Sequence, residues 1–279
     1  KEAAWMWTPE TWDAGGYDVT VTLSQDEGAV DTIRHHIDGA LPPSTDPRDF
    51  VRVQGSSFML GDQKWFFNGI NYRPSWVGGY PHLNLIAREC YDPEIIERDL
   101  AWMGSIGINA ISAVHALTPP DPEDPTAFRD QQDFLDRMLR HGIRCFFIVP
   151  HGRPYQGEDA DKLMAYIQSA GIKDHPAVMC WELAWEPIMG PWGDGLEPML
   201  RDWNDWIDER YGSIANAVAD WGFAPPPDKG GLAPTPTTEQ CTAHGNWDRY
   251  VAAFRRAFSD IISRRYRDVV LPLRHWDPR

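Results

Sequence analysis

"HPAVMCWELAWEP", residues 175–187, decides how the rest of the chain is read. Its run through Ala177, Val178, Met179, Cys180 and Trp181 is apolar throughout rather than alternating, which suits a strand buried on both faces of a parallel sheet. The run leads to Glu186, a carboxylate between Trp185 and Pro187. A carboxyl group at the mouth of an apolar strand, beside an indole, is expected to be partly desolvated. Desolvation raises its pKa and keeps a proton available for a leaving oxygen. The plainer alternative is a rim carboxylate held in a salt bridge or at a helix N-cap.

Upstream of this stretch, helix and strand signals alternate. "DPEIIERDLAWMGSIG" carries Ile95, Ile96, Leu100 and Met103 at helical spacing and is followed by the strand "INAISAV". "DQQDFLDRMLRHG" repeats the pattern with Phe134, Leu135, Met138 and Leu139 before "RCFFIVPHG", and "DADKLMAYIQSAG" precedes "AVMCWELAWEP". Each helix runs into a Gly that can close it in the left-handed conformation. The expected class is α/β, either a (β/α)8 TIM barrel or a doubly wound sheet. No GxGxxG or GxxxxGK[ST] follows a strand, which argues against a nucleotide site.

Towards the N-terminus, "FVRVQGSSFMLGDQKWFFNGINY" predicts a hairpin turning at Gly61-Asp62 and then a strand through Phe66, Phe67 and Ile70. Residues 41–50 form a linker rich in Pro, Ser and Asp. Within residues 1–40, "GGYDVTVTL" and "VDTIRHHID" predict two strands. A lone pair of strands is not stable by itself, so they are expected to be the last strands of a β-sandwich domain or to pack on the next one. Residues 51–279 then make up the barrel domain. Beyond Glu186, "LRDWNDWIDERYGSIANAVADWG" predicts two helices, "FAPPPDKGGLAPTPT" a surface segment, and "WDRYVAAFRRAFSDIISRRYRDVV" a long final helix.

Composition narrows the partners. Lys and Arg total 26 against 41 Asp and Glu, a net charge of -15, so nucleic acid is excluded as a natural partner. No apolar run is long enough for a membrane span. The 4 cysteines form no CxxC pair, so no zinc site is expected, and nothing calls for a metal or other cofactor. Fourteen tryptophans (Trp 14) fit stacking on sugar rings and fit core filling equally well. In parallel βα folds the strand exits build the site. Here they carry Asn71 and Tyr72, then His115, then His151, then Glu186.

The fourth-strand motif resembles the "HPAVLAWELANEP" type found in clan A glycoside hydrolases, the retaining (β/α)8 enzymes that include family 5 mannanases and family 42 β-galactosidases. "KWFFNGINYRPSW" looks like the clan's first strand and "ERDLAWMGSIGINAI" like its first helix and second strand. "RDWNDWIDERYGSIANAVADWG" is similar to an insertion of the family 42 relatives. The resemblance implies a retaining glycosidase acting on β-glycosidic bonds of a carbohydrate substrate. Glu186 would be its general acid/base. It also implies that Tyr72 and His151 line the sugar subsite and that Trp76 and Trp185 offer stacking faces, while His115 joins the substrate-binding residues by its place at the second strand exit. Trp185 stands where the clan carries Asn, and Ser112 stands where it carries Arg. These two departures point to the alternative, a lapsed barrel that binds glycans or serves as a structural module of a surface assembly.

Such a hydrolase also needs a nucleophile about 5 Å from the acid/base. Glu182 sits four strand residues from Glu186, roughly 13 Å away at 3.3 Å per residue, which is too far. Only four βα units are visible against about 250 residues for a whole barrel. The rest is therefore expected from a longer chain or a partner chain, with homo-oligomer formation as one route. The expected location is extracellular, cell-surface or periplasmic, although no leader is visible.

Overall fold

The alternation in "YDVTVTL" becomes β1 (Tyr17–Gln25), which pairs antiparallel with β2 (Gly28–Ile37), Val21 opposite Ile33 and Tyr17 opposite Ile37. The computed structural model describes residues 15–25, 28–72, 91–113, 128–148, 160–183, 199–227 and 230–278. They fall into two compact units, one within Lys1–Ile148 and Ile167–Trp181, the other within Val149–Tyr166 and Glu182–Pro278.

In the first unit a three-stranded antiparallel meander follows the hairpin: β3 (Arg52–Gln54), β4 (Ser57–Leu60) and β5 (Gln63–Trp65). Its tight turns use Gly55 and Gly61, both at positive φ (62° and 58°), where a Cβ would be strained. Gly61-Asp62 is the turn expected from sequence, and β3 adds a strand that the sequence reading did not foresee. Phe66 and Phe67 lie outside any strand, and β6 is the shorter Gly69–Tyr72. Asn109 holds this junction: its Oδ1 accepts from the Asn68 N–H at 2.7 Å and its Nδ2 donates to the Phe66 carbonyl at 2.9 Å.

The parallel sheet comes next. Asp92 caps α1 (Pro93–Ser105) by accepting from the N–H groups of Glu94 and Ile95, with Pro93 in the first turn where its missing N–H costs nothing. Its apolar face buries Ile96, Leu100 and Met103. The next elements are β7 (Ala110–Ala113), α2 (Arg129–Arg140) with Phe134, Leu135 and Met138 buried, β8 (Arg144–Ile148), α3 (Ala160–Ser169) and β9 (Val178–Glu182). β6, β7 and β8 pair in parallel, Ile70 beside Ile111 and Ile111 beside Cys145. The Cys145 N–H donates to the Ala177 carbonyl at 2.7 Å, and the Phe147 ring meets Trp181 edge-on at 6.1 Å. Residue numbers rise together across this pair, so β9 runs the same way. The spatial order β6-β7-β8-β9 repeats the chain order, and among the described residues β6 and β9 each have one neighbour in the sheet. The chain is a mixed α/β protein with a parallel sheet.

The linker does not hang free at its start. Arg137, buried on α2, meets Asp38 at 3.0 Å, Glu97 at 2.9 Å and Asp133 at 2.8 Å. Arg140 donates to the Gly39 carbonyl at 2.5 Å, and the Leu41 N–H donates to Asp136 at 2.9 Å. On its other oxygen Asp136 pairs with His175 Nε2 at 3.0 Å. Residues 38–41 are thus fastened to one helix by charge-assisted hydrogen bonds.

The second unit is helical: besides most of α3 it holds α4 (Leu200–Tyr211), α5 (Ile214–Trp221), α6 (Thr238–Thr242) and α7 (Asp248–Trp276). Gly212 and Gly222 end α4 and α5 at φ 74° and 67°. Ser213 caps α5, and Thr237 forms a capping box with Gln240 over α6. Trp203, Trp221, Tyr250 and Phe254 fill the core. α7 continues through "LPLRHW" with Pro272 inside it.

Candidate active site

Parallel strands bring all their C-terminal ends to one edge, where loops can join side chains distant in sequence. Tyr72 lies opposite Ala113, which lies opposite Phe147. β9 runs beside β8, so the chain leaves β6, β7, β8 and β9 on the same side of the sheet. Trp76, His115, His151, Trp185 and Glu186 lie outside the described residues.

Tyr72 is described, and its setting differs from the expected one. Its ring stacks on Phe134 of α2 (centroids 6.4 Å, planes at 16°), and its hydroxyl donates to Asp99 Oδ2 of α1 at 3.0 Å. Burial, reinforced by the Asp99 charge, pushes the phenol pKa up, so the hydroxyl stays a donor. Tyr72 therefore anchors the end of β6 to the helices. The cause is the two-residue alternation of strand side chains, which turns the last residue towards the helix layer.

That contact identifies the two faces. Ile111, Cys145 and Phe147 share the helix-covered face by register and are buried. Cys145 is a core residue, and burial pushes its thiol pKa up, away from reactivity. The opposite face carries Asn71, Ser112 and Phe146 side by side in register, with Phe146 also edge-on to Phe67 at 5.8 Å. An amide, a hydroxyl and an aromatic face can hydrogen-bond and stack on a neutral polar ligand.

Glu182 ends β9 half-buried, and burial raises its carboxyl pKa. This is the effect expected of Glu186, found one turn of the motif earlier. The sequence signal was the first glutamate of "WELAWEP", set aside there only as a nucleophile. Among the described residues no group of three or more His, Cys, Asp or Glu side chains is placed to hold a metal ion.

No protein-family model matches the chain, and no curated protein matches it. Among solved structures it is similar to the cold-adapted β-galactosidase from Rahnella sp. R3, at 18% identity and a TM-score of 0.47 over 76% of this chain. The match covers 34% of that protein, so the chain spans about a third of its length. At this identity and score the similarity assigns no family.

Proposed function

We propose that the chain supplies the first four βα units of a retaining β-glycoside hydrolase barrel, with Glu186 as general acid/base. The observation that carries this reading is the order β6-β7-β8-β9 of parallel strands separated by helices, the repeat from which a (β/α)8 barrel is built. That order sets the exits leading to His115, His151 and Glu186 next to one another. Glu186 protonates the glycosidic oxygen and then removes a proton from the water that resolves the glycosyl-enzyme. His115 and His151 line the sugar subsite, Trp76 and Trp185 stack on the sugar, and Tyr72 keeps β6 in place. The strands that complete the barrel, from a longer chain or a partner, bring the nucleophile. β1 and β2 belong to a preceding β-sandwich, and the enzyme works outside the cytoplasm or at the cell surface.

A second reading, a glycan-binding or structural barrel that no longer cleaves, is favoured by one detail. The row Asn71, Ser112 and Phe146 contains no cation where the clan carries Arg. Hydrolysis of aryl β-glycosides by the complete protein and by Glu186→Gln separates the two. The variant is expected to lose activity steeply on poor leaving groups and little on good ones. Equal activity of both proteins on every leaving group removes Glu186 from the role, and an inactive wild type that still binds glycans favours the second reading.

A further inference from the structure

Arg144 opens β8, at the opposite end of the strand from the exit towards His151. Cys145 and Phe147 share the helix-covered face, so Arg144 and Phe146 lie on the other. Arg144 is only 8% exposed, and its Nε is buried without a hydrogen-bond partner. Among the described residues no carboxylate pairs with the guanidinium. Asp49 is near enough to act on its charge, yet the Asp49 carboxylate accepts from Ser44 Oγ at 2.6 Å instead. The residues in register beside Arg144 are Ala110 and, one strand further, Gly69, and the Ala177 carbonyl bonds the next N–H. Gly69 packs closely on Ala110, where an added Cβ would meet the Ala110 carbonyl at 3.0 Å, so the row beside the guanidinium holds only small side chains and none that can pair with it.

A buried lysine or carboxyl can shed its charge, but an arginine keeps its own, so leaving it unpaired in the protein is costly. The planar fork of the guanidinium fits a two-oxygen anion. We propose that Arg144 forms an anion site that takes a carboxylate on the helix-free face of the sheet, in the row Gly69, Ala110 and Arg144. This inference does not depend on the role given to Glu186. The carboxylate is either a small free acid or a side chain of a second copy of the chain.

Thermal unfolding in sodium acetate, compared with sodium chloride at equal pH and ionic strength, tests the site in wild type, Arg144→Met and Arg144→Lys. For a small free acid, acetate at about tenfold its half-saturating concentration raises the wild-type Tm by about 3 °C. Arg144→Lys keeps a smaller rise. Arg144→Met shows none and melts above wild type in chloride, because the unpaired charge is gone. Sedimentation in both salts identifies the source. A carboxylate from a second copy gives a wild-type oligomer that acetate and Arg144→Met each dissociate, whereas a small acid leaves wild type monomeric in both salts. An equal acetate response in Arg144→Met, or a monomeric wild type indifferent to acetate, overturns the proposal.

Discussion

The two units handle large apolar side chains in opposite ways. In the helical unit Trp203 lies between Trp206 and Trp221, with ring centroids 5.7 Å from each, and Phe254 meets it edge-on at 5.3 Å. Each of these three indoles has a hydrogen-bond acceptor: Trp203 donates to the Pro234 carbonyl, Trp206 to Asp260, and Trp221 to the Tyr211 hydroxyl. In the sheet unit Phe66 is 86% exposed, and Phe67 and Ile70 are also on the surface. One of its few buried charges, Arg144, has no carboxylate paired with it among the described residues. Among the described residues the helical unit pairs its core indoles internally, whereas the sheet unit presents apolar surface and a buried charge that call for something more. The contrast also corrects the meaning of the tryptophan content. Trp203, Trp206 and Trp221 are core fillers, so abundance of indole is no sign of sugar binding in that part of the chain.

Substitution gives the sharpest test of this contrast. Trp203→Ala removes the centre of the aromatic core and is expected to cost about 3–5 kcal/mol in denaturant unfolding of the helical unit. A loss under 1 kcal/mol would mean that the core repacks freely. The nearest equivalent in the sheet unit is polar. Arg137→Met leaves Asp38, Glu97 and Asp133 without their shared cation, with an expected loss of about 3 kcal/mol. The same cluster sets an acid limit. Burial pushes the Glu97 pKa up, but hydrogen bonds from His141 at 2.6 Å and from Arg137 outweigh it, and the net shift is downward. A carboxyl with a lowered folded pKa stabilises fully above its unfolded value and loses that contribution as pH falls through the folded one. Stability of wild type should therefore drop below the ordinary glutamate range, and Glu97→Gln should flatten that drop. An unchanged acid profile in the variant would place the limit elsewhere. At the small end, Phe66→Ser should shift stability by no more than about 0.5 kcal/mol, because the ring is already in water. A larger loss would show that Phe66 is covered in solution.

How much of this was legible in sequence depended on periodicity. α1 and α2 were read from their apolar spacing, and their buried residues Ile96, Leu100, Met103, Phe134, Leu135 and Met138 match it. Phe66 and Phe67 were read as strand because an apolar run looks the same whether it lies in a sheet or flanks one. Tyr72 was placed in the site because sequence marks where a strand ends but not which face its last side chain takes. Arg144 was invisible as a candidate, since only the register beside Ala110 shows a cation among small residues. The Asp38 contacts were equally hidden, because they depend on a helix almost a hundred positions away.

The fastening of residues 38–41 to α2 has a practical consequence for dissecting the protein. Composition draws the domain border in the proline-rich stretch 41–50, yet a chain begun there would lack Asp38 and the Gly39 carbonyl. Arg137 and Arg140 would then lose partners that they now hold at 3.0 Å and 2.5 Å. The energetic border of the sheet unit lies upstream of Asp38, and a truncation meant to isolate it should begin before β2 ends.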